Sequence, residues 1–188
     1  MSQTTKRALA ASLKKLLTKN TLDKITVIDI VEDCEVNRQT FYYHFQDIYD
    51  LIDWLFINEA SEAMNGMKTS DTWKQGFLRM FEWTLENKSL VINVYHSISR
   101  EKMERFLNEV TFNLLIGVID EKAVGLPVRE EDKKFIADVY KFAFVGILLE
   151  WIRLGMKENP HKIMDRFSNL MDGVFERALD KFRADRPV

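Results

Sequence analysis

The chain has 188 residues, of which 46% are hydrophobic and 30% charged, and its formal net charge is −2. This composition is typical of a soluble globular protein, and the longest apolar stretch, residues 139–152, is too short and too charged to span a bilayer. A single cysteine, Cys34, leaves no second thiol for a disulfide or a thiolate metal cluster. Because the N-terminal residues also lack the apolar core of a signal peptide, we expect a cytoplasmic protein without cofactor or metal.

Helical periodicity extends along nearly the whole chain, and no segment shows the sustained alternation of a strand, so we predict an all-α fold. A first helix is predicted over residues 3–19. Thr26, Asn37 and Asp47 stand where later helices should begin, because their side-chain oxygens can accept hydrogen bonds from free backbone N–H groups. The first third of the chain therefore predicts three short helices followed by a longer fourth one.

Longer helices are predicted further along, the last two over residues 130–157 and 160–182. The first of these is apolar nearly all round, and the second carries an apolar stripe. We predict that they pair with the same helices of a second copy in a four-helix bundle; the alternative is that their apolar faces pack within one subunit. The stripe consists of Phe167, Met171, Val174, Ala178 and Phe182.

We divide the chain into a small helical domain, residues 1–46, and a larger helical domain, residues 47–188.

The segment "VNRQTFYYHF", residues 36–45, concentrates aromatic and polar side chains in the third predicted helix. On a helical wheel, Phe41 and Phe45 fall on one side and are expected to pack against the first two helices. The remaining side chains of this helix all end in a hydrogen-bonding group. They are Arg38, Gln39, Thr40, Tyr42, Tyr43 and His44.

Two helices joined by a short turn, with such groups on the second, are typical of a helix-turn-helix that reads DNA. Arg38 and Gln39 are residue types that form paired hydrogen bonds with guanine and adenine in the major groove. Hydroxyl groups and an imidazole suit phosphate oxygens. Residues 1–28 hold six basic side chains and one acidic one, which favours an anionic partner, although a solvated helix face is the alternative interpretation.

Residues 5–56, and above all "ITVIDIVEDCEVNRQTFYYHFQDIYDL", resemble the N-terminal domain of the TetR family of bacterial transcriptional regulators. The match combines the apolar spacing, the Thr before the second helix and the Thr-aromatic-Tyr-x-His-Phe run. The resemblance implies a three-helix DNA-binding head joined by its fourth helix to a larger domain, which dimerises and usually binds a small effector. Together with the later "GILLEWIRLGMKENP", the segment is similar to the branch that includes the activator of dihydroxyacetone kinase operons.

Transferred position by position, the resemblance implies that Thr26 donates a hydrogen bond to a phosphate and that Arg38 and Gln39 contact bases. The same transfer assigns contacts with the DNA backbone to Thr40, Tyr42, Tyr43 and His44.

The sequence departs from the family pattern at three positions. Many relatives have Gly in place of Gln39, so their base preference does not transfer. Gln46 and Ile48 replace lysines that are common early in the fourth helix. We therefore expect Lys6 and Lys14 of the first helix to contribute more to phosphate binding.

Aromatic side chains recur at helical spacing in the larger domain, and effector pockets between helices are mainly apolar with few polar groups. We predict that any effector lies among these rings, with Tyr95, His96 or Arg153 as a polar anchor. The alternative is a closed core and a signal supplied by a partner protein. The predicted lining is Phe77, Phe81, Tyr95, Phe106, Phe144 and Trp151.

Two functional hypotheses follow from these patterns. The first is a homodimeric transcriptional regulator that binds an inverted-repeat operator in double-stranded DNA. The second is a helical interaction protein or co-regulator that signals mainly through a partner protein. An enzyme is not indicated, because no phosphate-binding glycine loop, glycine-flanked nucleophilic serine or cysteine–histidine pair is present in the sequence.

Overall fold

The chain is all-α in the computed structural model, which describes residues 2–63, 66–67, 69–98 and 100–185. The predicted fold class is therefore confirmed. No helix of these described ranges is long and apolar enough to cross a membrane. A 3-10 turn, Leu22–Lys24, lies between the first two helices. The helices are α1 (Ser2–Leu17), α2 (Val27–Asp33), α3 (Arg38–His44), α4 (Ile48–Ala63), α5 (Trp73–Glu86), α6 (Lys88–Ser97), α7 (Arg100–Lys122), α8 (Glu130–Arg153), α9 (Pro160–Met171) and α10 (Val174–Lys181).

The chain divides into two compact units. The first unit contains residues 1–60 and 87–106, and the second contains residues 61–86 and 107–188. The boundaries therefore fall within α4, between α5 and α6, and within α7. One consequence is that α6 belongs to the unit of α1, α2 and α3, although it lies far from them in the sequence.

The first unit is built on the buried faces of α1, α2 and α3. Leu9 and Leu13 of α1 and Phe41 of α3 are fully buried, and the three helices pack on one another. The Ser12 hydroxyl donates a 3.0 Å hydrogen bond to the carbonyl oxygen of Ile30 and so satisfies a polar group inside this core. The packing fixes the orientation of α3, because its inner face is held by α1 and α2.

The core of the second unit is a cluster of phenylalanine rings from α5, α8 and α9. Phe77 and Phe144 stack with their ring centroids 3.8 Å apart. Phe167 meets both rings edge-on. Stacked and edge-to-face contacts between rings are favourable beyond the area that they bury. The cluster thereby ties three helices of this unit together.

The final helix differs from its prediction. A single helix over residues 160–182 was expected, but α9 ends at Met171 and α10 begins at Val174. Gly173 lies between them with φ +62°, a left-handed conformation that glycine adopts without the strain of a Cβ atom. The predicted stripe is also wrong beyond the break, because α10 buries Phe175 and Leu179, whereas Phe182 is 37% exposed. Helical spacing in the sequence did not reveal the interruption.

Candidate functional site

The turn between α2 and α3 gives the helix-turn-helix its geometry. Thr26 and Asn37 cap the N-termini of α2 and α3, as their positions in the sequence predicted. Between the helices, Glu35 takes a left-handed conformation, with φ 55°, and the Val36 N–H donates to the carbonyl oxygen of Val31 at 2.9 Å. The close of α2 and the start of α3 are therefore both fixed by hydrogen bonds.

Thr26 forms a reciprocal capping box with Asp29. Its hydroxyl oxygen accepts from the Asp29 N–H at 3.3 Å, and the Asp29 carboxylate accepts from the Thr26 N–H at 2.7 Å. The Thr26 hydroxyl also donates to that carboxylate at 2.7 Å. These hydrogen bonds from Thr26 hold the pKa of Asp29 below its ordinary value. Thr26 therefore needs to exchange one partner before its hydroxyl can donate to a phosphate.

The two faces of α3 have opposite character. Phe41 is fully buried and Phe45, directly after the helix, is 3% exposed. On the other side Tyr43 is 83% exposed and Tyr42 is 48% exposed. Gln39 is exposed as well. The helix thus presents hydrogen-bonding groups outward while its inner face is fixed by the core.

Neighbouring contacts pre-order several of the outward side chains. The Arg38 guanidinium donates to the Tyr42 hydroxyl at 3.2 Å and lies 5.5 Å from the centre of its ring. The Thr40 hydroxyl donates to the Asn37 side-chain oxygen at 2.9 Å. The rings of Tyr43 and His44 meet edge-on with centroids 4.9 Å apart. Five of the candidate DNA-contacting side chains of α3 are therefore held in three separate local contacts.

The lysines of α1 are more engaged than the sequence suggested. The Lys14 ammonium donates to both carboxylate oxygens of Glu59, at 2.9 and 2.8 Å. Lys15 pairs with Asp33. Lys6 lies over the ring of Phe45, 5.2 Å from its centroid. These contacts hold the basic side chains against their own unit and reduce their reach toward a phosphate.

Only some of the predicted effector-lining residues come together. Phe81 of the second unit meets Phe144 and Trp151 edge-on, with centroids 5.5 and 5.1 Å apart, and Phe77 stacks on Phe144. Arg153 forms a double hydrogen bond with Glu150 at the surface. The remaining predicted residues, Tyr95, His96 and Phe106, belong to the first unit.

Two buried polar atoms of α7 were not predicted from the sequence. Thr111 is fully buried, and neither its hydroxyl oxygen nor the side-chain oxygen of Asn108 has a hydrogen-bond partner within the described part of the chain. Buried polar groups nearly always have a partner, so such atoms call for an explanation. Their spacing of three residues places them on one side of the helix. The signal available in the sequence was the presence of these two polar residues among the apolar positions of α7.

A surface groove of about 820 Å³ lies between α8 and α9. Phe142, Gly146 and Leu170 are among its lining residues, and the side chains of Phe142 and Leu170 are 60% and 77% exposed. From the predicted stripe of the last helix, Phe167 and Met171 instead face the interior of their own unit.

No group of acidic, histidine and cysteine side chains in the described ranges could hold a metal ion.

Comparisons with known proteins give one family. A TetR-family model, described as the C-terminal region of transcriptional regulators, matches residues 71–173, which is more than half of the chain. The HTH-type dhaKLM operon transcriptional activator DhaS of Lactococcus lactis subsp. lactis (strain IL1403) is 27% identical over 169 residues, covering 89% of this chain and 88% of that protein. The predicted family and branch are both confirmed.

Solved structures agree with this result. The dihydroxyacetone kinase operon activator DhaS superposes with a TM-score of 0.71 at 25% identity, over 96% of this chain and 98% of its own. A TetR regulator from Rhodococcus sp. RHA1 has a TM-score of 0.62 at 12% identity, with 90% and 95% coverage. NalD, the secondary repressor of the MexAB-OprM multidrug efflux pump in Pseudomonas aeruginosa, has 0.57 at 15% identity, with 99% of both chains covered. The last two bear on the fold alone.

Proposed function

Because the chain belongs to the TetR family of DNA-binding transcriptional regulators, we propose that residues 1–46 form a head that binds double-stranded operator DNA through α3. The observation that carries this proposal is the opposition of the two faces of α3: Phe41 is fully buried, whereas Tyr43 is 83% exposed. A helix held on one side by a core and polar on the other can enter a major groove without unfolding its support.

Within this head, Arg38 and Gln39 read base edges. Their side chains lie in the first turn of α3, where a recognition helix normally presents groups to bases, and both are exposed. Arg pairs with the O6 and N7 atoms of guanine, and Gln pairs with the N6 and N7 atoms of adenine. Thr26, Thr40, Tyr42, Tyr43 and His44 bind the phosphate backbone and set the register.

The operator is an inverted repeat, because the regulator acts as a homodimer formed through the α8–α9 groove. Phe142 and Leu170 expose large apolar surface there, and contiguous exposed apolar surface marks an interaction site. In simple dimers the two half-sites lie roughly 34–36 Å apart. Sedimentation should therefore give a dimer at micromolar concentration, and Leu170→Glu should shift it to a monomer. A wild-type monomer would contradict both the dimer and the inverted repeat.

We further propose that a small effector controls the second unit. The supporting observation is the buried pair of oxygens on Asn108 and Thr111, which suits a ligand with O–H or N–H donors. In a metabolite screen, an effector should raise the Tm of the wild-type protein. Thr111→Val should abolish that shift without lowering the Tm of the ligand-free protein, because it replaces an unsatisfied hydroxyl with a methyl group.

A second candidate is regulation by a partner protein, which the exposed apolar side chains of α8 favour. Phe135 is 58% exposed and Val139 is 47% exposed on the same face of that helix. Suppose that no metabolite shifts the Tm and that the Phe135→Ala substitution by itself abolishes regulation in cells. A partner protein, and not a small effector, then supplies the signal. One relative is named an operon transcriptional activator, and we propose that this chain likewise regulates an operon in the cytoplasm.

The direct test of the proposed function is selection from a random duplex library. Wild-type protein should enrich an inverted repeat whose half-sites contain a guanine and an adenine within reach of one α3 helix. The same duplex should lose binding when either half-site is scrambled. Retention of DNA without any enriched motif would reject the role assigned to Arg38 and Gln39.

A further inference from the structure

An amide side chain outside the helix-turn-helix holds the turn that leads into it. Asn93 lies on α6, which packs against α1 and the 3-10 turn in the first unit. Its Nδ2 atom donates to the carbonyl oxygens of Asn20 and Leu17, at 2.7 and 3.3 Å. Its Oδ1 atom accepts from the N–H of Leu22 at 3.0 Å. One side chain therefore uses both its donor and its acceptor on the same turn.

Backbone hydrogen bonds fix the two ends of this turn, because the Asn20 N–H donates to the Leu16 carbonyl and the Lys24 N–H donates to the Thr21 carbonyl, both at 3.0 Å. The last turn of an α-helix leaves carbonyl groups without partners in the helix, and Leu17 is the last residue of α1. Residues 18–26 contain neither glycine nor proline, so no residue there restricts the backbone or supplies a glycine C-cap. Asn93 satisfies the carbonyl oxygens of Leu17 and Asn20. The link between the end of α1 and the 3-10 turn is therefore fixed in part by α6.

The turn carries groups that suit a DNA backbone. Lys19 and Lys24 are exposed on it, and Thr26, the N-cap of α2, follows directly. By contrast, Lys14 and Lys15 of α1 are paired with Glu59 and Asp33. A shift of the turn would therefore move two exposed cations and the N-terminus of α2 together.

We propose that Asn93 is a positioning residue for DNA binding: it fixes the turn over residues 18–25 and so places Lys19, Lys24 and Thr26 against the phosphate backbone. The part of the chain that is needed for DNA binding then consists of the head, residues 1–46, together with α6. This inference rests on the proposed DNA-binding function and extends it to a residue that touches no DNA itself.

The test uses the full chain with Asn93→Ala and Asn93→Asp. Affinity is measured for a duplex selected by the wild-type protein and for a random-sequence duplex, over a series of salt concentrations. Asn93→Ala should weaken binding to both duplexes about tenfold, equivalent to about 1.4 kcal/mol. The logarithmic salt dependence should become shallower, because fewer phosphates are neutralised. Asn93→Asp should be at least as weak, since it keeps the acceptor for Leu22 but turns a carboxylate toward two carbonyl groups.

Two variants of α6 separate positioning from general damage. The Ser97 hydroxyl donates to the backbone carbonyl of Asn93, a contact inside the helix, so Ser97→Ala should keep wild-type affinity and salt dependence. Val94 is fully buried, so Val94→Ala should lower the Tm without changing the salt dependence at temperatures where the protein is folded.

Hydrogen exchange supplies an independent readout. The amide of Leu22 donates to Asn93, so its exchange should accelerate in Asn93→Ala more than that of core amides in α1. In Val94→Ala the Leu22 amide should not be singled out in this way.

The outcomes distinguish this inference from the function on which it rests. A wild-type protein that enriches no duplex contradicts the proposed sequence recognition, and the Asn93 variants are then still compared on random duplex. Unchanged affinity and salt dependence in Asn93→Ala contradict the inference alone. The inference is also contradicted if Val94→Ala and Asn93→Ala, each measured at the same interval below its own Tm, weaken DNA binding and flatten the salt dependence equally.

Discussion

Two aromatic-rich regions of the chain use their rings in opposite ways. In α3 the Tyr43 side chain is 83% exposed, whereas in the core of the second unit Phe77 and Phe144 are at most 1% exposed. The tyrosines of α3 share a face with other hydrogen-bonding groups, whereas Phe77 lies on a mainly apolar buried face of α5. The number of aromatic rings in a segment therefore does not distinguish a binding face from a core. The positions of the hydrogen-bonding groups around the helix do.

This contrast assigns stability and recognition to different side chains. Removing a ring from the core should lower the free energy of unfolding and leave the DNA-contacting groups intact. Removing a polar group from α3 should weaken DNA binding and leave the fold intact.

The largest effect is expected for Phe144→Ala. Phe144 stacks on Phe77 and meets Phe81 and Phe167 edge-on, so its loss leaves a cavity at the centre of the second unit. We expect the free energy of unfolding to fall by about 3–5 kcal/mol in urea titration. Phe135→Ala on the exposed face of the same helix is the matched control and should cost far less. Equal losses would show that the cluster is not the dominant core.

A smaller effect, on DNA rather than on the fold, is expected for Arg38→Ala. The variant should bind the selected operator more weakly by about 1–3 kcal/mol and lose preference at one base pair in each half-site. The Tm should stay near the wild-type value because Arg38 is exposed. Arg129→Ala, which removes an exposed arginine of the second unit outside the α8–α9 groove, should leave operator binding unchanged. A loss that is equal for operator and random DNA would place Arg38 on the backbone instead.

Lys14→Ala should have a still smaller effect. Lys14 pairs with both oxygens of Glu59, and partly exposed ion pairs contribute roughly 0.2–1 kcal/mol to folding. The salt dependence of DNA binding should change little, whereas Lys24→Ala should flatten it. An unchanged salt dependence for Lys14→Ala would show that Lys14 does not bind phosphate, contrary to the expectation from sequence. A flatter salt dependence for Lys14→Ala would restore that expectation.

The smallest effect concerns pH. Hydrogen bonds from Thr26 hold the pKa of Asp29 below its ordinary value of 3.8. Asp29 therefore contributes stability above the pKa of the unfolded chain and loses it as the pH falls through the lower pKa of the folded state. Near neutral pH the wild-type protein should have a slightly higher Tm than Asp29→Asn. This difference in Tm should vanish at acidic pH. A difference that persists at low pH would rule out the carboxylate as its source.

Much of the fold could be predicted because its signals are local. Thr26 and Asn37 cap α2 and α3 where their sequence positions predicted. The burial of Phe41 and the exposure of Tyr43 follow from a helical wheel. The break at Gly173 could not be predicted, because apolar residues recur at helical spacing on both sides of it, although the fold buries Phe175 and Leu179 there.

The contacts that sequence could not supply are those between distant residues. Glu59 lies 45 positions from Lys14, and no local pattern indicates that the two are paired. Asn93 reads as one polar residue on a short helix, yet it holds the turn after α1. Tyr95 and Phe77 were assigned to one effector site by composition alone, and they belong to different compact units. The effector site accordingly stays a prediction.

The role of the outward face of α3 in reading DNA is tested by parallel selection of random duplex DNA with the wild-type and Gln39→Ala proteins. We expect both proteins to enrich the same inverted repeat, and Gln39→Ala to lose preference at one base pair in each half-site while all other positions are retained. An identical preference profile for the two proteins, or no enriched repeat for the wild-type protein, would contradict the claim that this face reads DNA.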